Sequence, residues 1–470
     1  MSIGVTTEDS EPIDRVAWAI LAVGFALFLV YAWPGYMSID SAEQLGEARA
    51  HHFTDWHPPA MAALWQLTDR IVAGPLGMLL LQSAAFFVGL YRLLRRAYAP
   101  RPAAVLATLV MLFPPVLAPM AVIWKDSQMA GYLLLGFSLL VDRRREVRIA
   151  GVLMLGVGTA MRYNAPAATM SLVVLVFEWR AGERWIKRTA LALLVWIATV
   201  VAASACNKAI TAEHKYPWHT ALATDDIVGM LRFGKKFSNP KIIEILEGTP
   251  LVATDNLRWH ALRIYTPVSW WNIANGDDRM FDWPTTPEHR DALSRAWKQL
   301  LYENPFGYLH HRWRVFAETL GLGERKLFAP YWNNKPSQDY VDNLKLDWEP
   351  TEVQRELASV IDWMSMKTFL FRPYLYFYLA LLLVPFVLRQ RDMLALLASG
   401  ILYELTLFPF GTPDVRYSHW MMTTTLLTVL VIFKRRYGSG ARSAGLAPTE
   451  AASHDIAVPT AERVLAPIGQ

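Results

Sequence analysis

The chain has 470 residues, 53% of them hydrophobic and 19% charged, with a formal net charge of +5. That balance is too apolar for an ordinary soluble protein of this length and points to a chain that lives in a bilayer. The mild positive charge forms no basic, aromatic-interleaved stripe on a polar segment, which argues against a nucleic-acid partner.

The 19 Trp and 18 Tyr suit a protein with two membrane interfaces, where amphipathic rings collect. A single cysteine, Cys206, excludes an intrachain disulfide and a cysteine-based zinc site. A lone buried thiol is expected there, and an inert one. The N-terminal stretch carries Glu8, Asp9, Glu11 and Asp14 instead of a basic region, and no small-residue cleavage site follows the first apolar run. That run is therefore expected to stay as a helix.

A spanning helix needs about 20 mostly apolar residues. In chain order the candidates fall at 16–33, 75–94, 102–121, 128–141, 149–162, 165–178, 189–206, 370–388, 392–409 and 419–433. The expected fold is an all-α polytopic membrane protein with about ten transmembrane helices, two of the shorter ones also fitting re-entrant segments. One set of loops is basic: Arg92, Arg95, Arg96 and Arg101; Arg143, Arg144, Arg145 and Arg148; Arg180, Arg184, Lys187 and Arg188; Arg389 and Arg391; Lys434, Arg435, Arg436 and Arg442. The alternate loops are nearly free of Lys and Arg. The positive-inside rule puts the basic loops and both termini in the cytoplasm.

The opposite face then receives a long first loop (34–74), the turns at Lys125-Asp126 and Arg162-Tyr163-Asn164, and the loop "FGTPDVRYSHW" (410–420). Between the seventh and eighth helices it also receives 207–366, a polar segment long enough for a mostly helical extracytoplasmic domain. Within it, Thr286 reads as an N-cap with Pro287 at the first helical position. Asn304-Pro305 ends that helix and begins the next. The expected division is a transmembrane module over 1–206, the domain over 207–366, further transmembrane helices over 367–436 and a disordered cytoplasmic tail over 437–470.

Ionisable residues at membrane depth are costly, so their placement is informative. Here Asp40, Asp55, His57, Lys125, Asp126, Arg162, Asn164, Asp414, Arg416 and His419 gather at the outer ends of helices from distant parts of the chain. Each has a structural reading. Asp40 opens "DSAE", an N-cap followed by Glu43 in a capping-box pattern. Asp55 suits the turn that "DWHPP" demands. Lys125-Asp126 reads as a local ion pair, and Arg162 and Arg416 as side chains reaching lipid headgroups. Glu404 reads as paired with another helix, and His310-His311 as ordinary surface or packing residues.

One substrate would use the outer-face group together: a lipid-linked phosphosugar. Its phosphate needs Arg or Lys. Its sugar needs aromatic walls and hydrogen bonds. The acceptor hydroxyl needs a carboxylate as general base, and the leaving phosphate needs positive charge.

The stretches "PGYMSIDSAEQ…DWHPP", "WKDSQ" and "DVRYSHW" resemble the acid-bearing loops and late Arg-Tyr element of the GT-C superfamily of membrane glycosyltransferases, and "YENPFGYLHHRW" resembles an extracytoplasmic helix of some bacterial members. The resemblance implies sugar transfer from a polyprenyl-phosphate donor to a cell-envelope acceptor, at the outer face of a bacterial inner membrane. It implies Asp40 as the catalytic base and Asp126 as the second acid. Asp55, His57, Lys125, Arg162, Asn164, Arg416, Tyr417 and His419 would bind substrate. Many members carry paired acids in the first loop; here Ser41 and Ala42 follow Asp40. A divalent cation is left open, with Asp40, Asp126 and His57 as donors. A polysaccharide polymerase or ligase using lipid-linked oligosaccharide is the alternative enzyme. A transporter fits less well, because the charges sit at one interface and no internal repeat is visible.

Overall fold

The computed structural model describes residues 14–180, 182–254, 256–323, 342–346 and 349–437. The expected tail beyond Tyr437 lies outside the described residues. Among those residues all regular structure is helical, and extended pairing is limited to isolated bridges at Tyr36–Val122, Thr54–Glu213 and Leu251–Phe281.

Each of the ten apolar segments falls on a helix or a bent helix pair. The first helices are α1 (Arg15–Ala32), α2 (Ile39–Ala50), α3 (Ala60–Asp69), α4 (Leu76–Arg95), α5 (Pro100–Met111), α6 (Pro114–Met120) and α7 (Lys125–Leu140). Then come α8 (Arg145–Ala160), α9 (Ala165–Val174) and α10 (Trp185–Ile210). The polar middle supplies α11 (Thr224–Arg232), α12 (Asn239–Ile245), α13 (Leu257–Ile264), α14 (Trp271–Ala274), α15 (Pro287–Glu303) and α16 (Pro305–Thr319). The chain closes with α17 (Glu352–Lys367), α18 (Pro373–Val387), α19 (Arg391–Phe410) and α20 (His419–Tyr437).

Four of these, α1, α4, α10 and α19, are long and apolar enough to cross a membrane; α5 and α6 make a fifth if they are one broken span. The segment expected as one helix over 102–121 is bent by 69° between α5 and α6. Pro114 and Pro115 are the cause: neither offers a backbone N–H, and their rings push the preceding residue out of helical geometry. Helices α9 and α18 are apolar but shorter.

Helix α7 lies at the centre of the bundle, packed between α4 and α8, with nearly every residue of its first three turns buried. Small residues permit that closeness. A Cβ on Gly136 would lie 2.8 Å from the Leu155 backbone nitrogen, and one on Gly131 would lie 2.6 Å from the Gln82 carbonyl. The basic helix ends are tied by Arg92–Asp142 (3.0 Å), Arg435–Asp392 (2.7 Å) and Arg101–Asp14 (3.1 Å). These pairs sit at the far end of the bundle from the N-terminus of α7. Cys206, expected to be buried, is exposed on α10, a helix with few enclosed positions.

A second core, built from residues of α11, α12, α13 and α15 with Phe237, Ile273, Met280 and Phe281, belongs to the polar middle. Thr286 caps α15 by accepting from the His289 N–H at 3.2 Å. Asn304 ends α15 and starts α16, accepting from the Gly307 N–H at 3.2 Å. Helix α16 then joins two regions. Tyr308 packs on the second core, while Phe316 and Leu320 pack with Tyr376, Phe377, Leu407, Met421 and Met422 of α18, α19 and α20.

Candidate functional site

The site is assembled by the segments just before α2 and α7. The Tyr36 N–H donates to the Ala121 carbonyl and the Ile123 N–H donates to the Tyr36 carbonyl, both at 2.9 Å. The cap of α2 extends the tie. Its N-cap is Ser38, not Asp40: Ser38 and Ser41 exchange side-chain to backbone hydrogen bonds in a capping box. Ser41 Oγ also donates to the Ile123 carbonyl at 2.7 Å, and Trp124 Nε1 donates to Ser38 Oγ at 2.8 Å. Because the two serines satisfy the helix start, the Asp40 carboxylate is left to point away from its own backbone. It faces Lys125, the first residue of α7.

Asp40 Oδ2 lies 2.7 Å from Arg416 Nη2 and 3.9 Å from Lys125 Nζ. Arg416 sits in a short 3-10 turn, Val415–Ser418, that Asp414 caps. Asp414 Oδ1 accepts from the Arg416 N–H at 3.1 Å, and its Oδ2 is 3.1 Å from Arg416 Nε. The guanidinium lies over the rings of Trp124 (4.8 Å) and Tyr417 (5.1 Å). Lys125 Nζ donates to His57 Nδ1 at 2.6 Å, and His57 Nε2 is 3.7 Å from Glu43 Oε2.

A second pair adjoins the first. Arg162 forms an ion pair with Asp126 and donates from Nε to Asn164 Oδ1 at 3.2 Å. Tyr403 also donates to Asp126, at 3.5 Å. Asn164 is fixed through Nδ2 by Thr406 Oγ1 at 2.8 Å. The Arg162 guanidinium lies 4.5 Å from the Tyr417 ring, which therefore contacts both arginines.

The structure thus brings Asp40, His57, Lys125, Asp126, Arg162, Asn164, Arg416 and Tyr417 into one network. It does not place Asp55 there. Asp55 accepts from the Lys215 N–H at 2.5 Å and lies 2.9 Å from His214 Nδ1, while its carbonyl accepts from Tyr163 Oη. These bonds tie the first loop to the strand of chain after α10, the turn-holding role the sequence offered. His419 is 1% exposed and stacked on Phe86, behind the network. Glu404 accepts from Ser418 Oγ at 2.8 Å and so braces the turn that carries Arg416.

Electrostatics separate the carboxylates. The Asp40 side chain is 26% exposed, whereas Asp126 is 2% exposed. Burial works to raise the pKa of Asp40, but the charges of Arg416 and Lys125 outweigh it and hold the carboxyl well below the usual carboxylate range. Burial, then the Lys125 charge, push His57 down, toward the neutral imidazole. Asp40 is thus ionised at neutral pH and partly exposed.

The expected metal donors do not fit a cation. Among the described residues no group of three or more His, Cys, Asp or Glu side chains is arranged to hold a metal ion. Asp40 and Asp126 each face guanidinium or ammonium groups, and His57 Nδ1 is taken by Lys125. A divalent ion here would meet three cations at close range.

Sequence reasoning missed Trp124 and Tyr403, whose neighbours Lys125 and Glu404 drew attention instead. It also missed a second buried charge cluster. Asp225 and Asp226 on α11 meet His311 and Arg312 on α16, all four nearly or fully enclosed. Arg312 Nε is 2.6 Å from Asp226 Oδ1, and His311 Nε2 is 3.4 Å from the same oxygen. Trp297 Nε1 donates to Asp226 Oδ2 at 2.8 Å. Arg312 Nη1 donates to the Gly411 carbonyl at 3.2 Å, linking α16 to the loop before Arg416. The adjacent acids "DD" and the "HHRW" run were the available signal.

No known protein family matches the sequence, and no curated protein matches it. Among solved structures the chain is similar to the oligosaccharyltransferase of Archaeoglobus fulgidus. With a tethered acceptor peptide containing the NVT sequon, that protein aligns at 10% identity and a TM-score of 0.38, over 93% of this chain and 51% of that chain. Its complex with Zn and sulfate aligns at 10% identity and 0.39, over 90% and 50%. The complex of archaeal oligosaccharyltransferase AglB with an inhibitory peptide and a dolichol-phosphate aligns at 11% identity and 0.37, over 93% and 52%. The chain spans about half the length of each of these structures.

Proposed function

We propose that this chain is an integral-membrane glycosyltransferase. It moves a sugar from a polyprenyl-phosphate donor to an acceptor hydroxyl at the outer face of a bacterial plasma membrane. In this reading the ten apolar segments cross or enter the bilayer, both termini are cytoplasmic, and residues 207–366 cover the site from outside. The observation that carries the reading is the partly exposed Asp40 carboxylate, ionised and set between Arg416 and Lys125. A base thus lies 2.7 Å from one cation able to hold a phosphate and 3.9 Å from another.

The chemistry is a single displacement. Asp40 takes the proton of the acceptor hydroxyl. The acceptor oxygen attacks the anomeric carbon, and the bond from that carbon to the phosphate oxygen breaks with its electron pair going to the phosphate. Arg416 and Lys125 neutralise the charge that develops there. Attack opposite the leaving group inverts the anomeric centre. Asp126, enclosed by Arg162 and Tyr403, serves as a positioning residue: it holds Arg162 against Tyr417. His57 keeps the Lys125 ammonium directed into the site.

The test is to reconstitute the chain in lipid and supply a panel of polyprenyl-phosphate monosaccharides together with envelope acceptor fractions. Release of polyprenyl phosphate with one donor supports the reading and identifies the sugar. Release only from diphosphate-linked oligosaccharides moves the assignment to a polymerase or ligase. Absence of release and of donor binding across both panels removes it.

A further inference from the structure

The resting site has no spare positive charge. Its cations Arg416, Lys125 and Arg162 are matched by the carboxylates Asp40, Asp414 and Asp126. His57 adds none toward Lys125, since its Nδ1 accepts from the Lys125 ammonium and so carries no proton. A phosphate group entering this enclosed place would be an unpaired anion, which is costly, unless a carboxylate gives up its cation. The carboxylates differ in how firmly they are held. Asp126 is buried and bonded by both Arg162 and Tyr403. Asp414 grips Arg416 twice within one turn, through the backbone N–H and through Nε. Asp40 reaches Arg416 only at one terminal nitrogen, lies 3.9 Å from Lys125, and is 26% exposed.

We propose that the Asp40 carboxylate occupies, in the resting protein, the place of the donor phosphate: the two anions compete for Arg416 and Lys125, and arrival of the donor releases Asp40 to act as base. This rests on the glycosyltransferase reading and adds an order of events to it. Before the donor binds, Asp40 is masked by two cations and is a poor proton acceptor. Once the phosphate draws Arg416 and Lys125 to itself, Asp40 loses its partners, and a carboxylate without a cation beside it binds a proton more tightly. The acceptor hydroxyl then gives its proton to Asp40 only when a donor is present to receive the nucleophile. After transfer, Asp40 passes the proton to water and regains Arg416 as polyprenyl phosphate leaves.

The arrangement makes an unusual demand: removing the base should improve binding of the leaving group. The probe is undecaprenyl phosphate, with undecaprenol as the phosphate-free control. Binding to the full chain is measured by native mass spectrometry in detergent. Asp40→Asn is expected to bind undecaprenyl phosphate at least about tenfold more tightly than wild type, about 1.4 kcal/mol. Arg416→Gln should lose binding. Undecaprenol should not discriminate among the three proteins. Asp40→Ala is the second variant and should tighten binding in the same direction; monodispersity and helix content by circular dichroism check that each variant is folded. Equal or weaker binding by both Asp40 variants, with Arg416→Gln still impaired, overturns the competition and leaves the glycosyltransferase reading standing. No phosphate-dependent binding by any of the proteins overturns both.

Discussion

The cluster of Asp225, Asp226, His311 and Arg312 makes a quantitative prediction. Arg312 is fully enclosed, and its nearest anion, Asp226, is 2.6 Å away. Asp226→Asn keeps the shape and the acceptor for Trp297 but removes the charge that balances the guanidinium. Breaking one side of a buried ion pair costs about 3–5 kcal/mol, because the other charge is left uncompensated. Asp225 remains as a second carboxylate beside His311, at 3.6 Å, and moderates the loss, so the lower end, about 3 kcal/mol, is expected. Adding Arg312→Met removes the stranded charge. The double variant should therefore be more stable than the sum of the single losses by about 2 kcal/mol. The assay is unfolding of the purified full chain in detergent, followed by tryptophan fluorescence, because Trp297 bonds directly to Asp226. A lowered midpoint for Asp226→Asn, partly recovered in the double variant, is the expected pattern. Losses that simply add, or an Asp226→Asn variant within about 0.5 kcal/mol of wild type, would refute the buried-pair argument.

Two further outcomes are expected. Gly136→Ala places a methyl against the Leu155 backbone of α8, so α7 and α8 must separate, at about 1–3 kcal/mol; Gly46→Ala, with nothing within 4 Å, should be neutral or stabilising, and thermal melts of the two variants make the comparison. The pH dependence of activity should split. In the free protein Arg416 and Lys125 depress the Asp40 carboxyl, so kcat/KM should persist as pH falls through the ordinary carboxylate range, near 4, and be lost only below it. If the donor phosphate takes Arg416, the acid limb of kcat should lie at higher pH than that of kcat/KM. Coincident limbs would contradict it.

Much of this architecture is legible in the sequence because it follows from local chemistry. The apolar runs give the helices, and Thr286 and Asn304-Pro305 give the boundaries of α15 and α16 through side-chain caps that need only neighbours a few residues away. What is not legible depends on distant partners. "DSAE" reads as a cap at Asp40, yet Ser38 takes that role because Ser41 and Trp124 support it through contacts to the segment before α7. That shift turns Asp40 from a structural residue into one whose carboxylate is free for Lys125 and Arg416. Asp55 differs for the same kind of reason: its partners His214 and the Lys215 N–H lie beyond α10 and cannot be read from "DWHPP". The bend between α5 and α6 was signalled by Pro114-Pro115, but apolar character alone let the two halves read as one span. The charge cluster on α11 and α16 was hidden because adjacent histidines on a helix diverge, and only one of them, His311, faces inward.

The central claim is that Asp40 is the base of a sugar transfer from a polyprenyl-phosphate donor. The most direct measurement is the rate of polyprenyl phosphate release by wild type and by Asp40→Asn in matched proteoliposomes, with donor binding measured on the same samples. The account predicts release by wild type, a fall of about 10²–10⁴ in Asp40→Asn, and donor binding that is retained. Release at an unchanged rate in Asp40→Asn would contradict it and leave Asp40 a partner of Arg416 and nothing more.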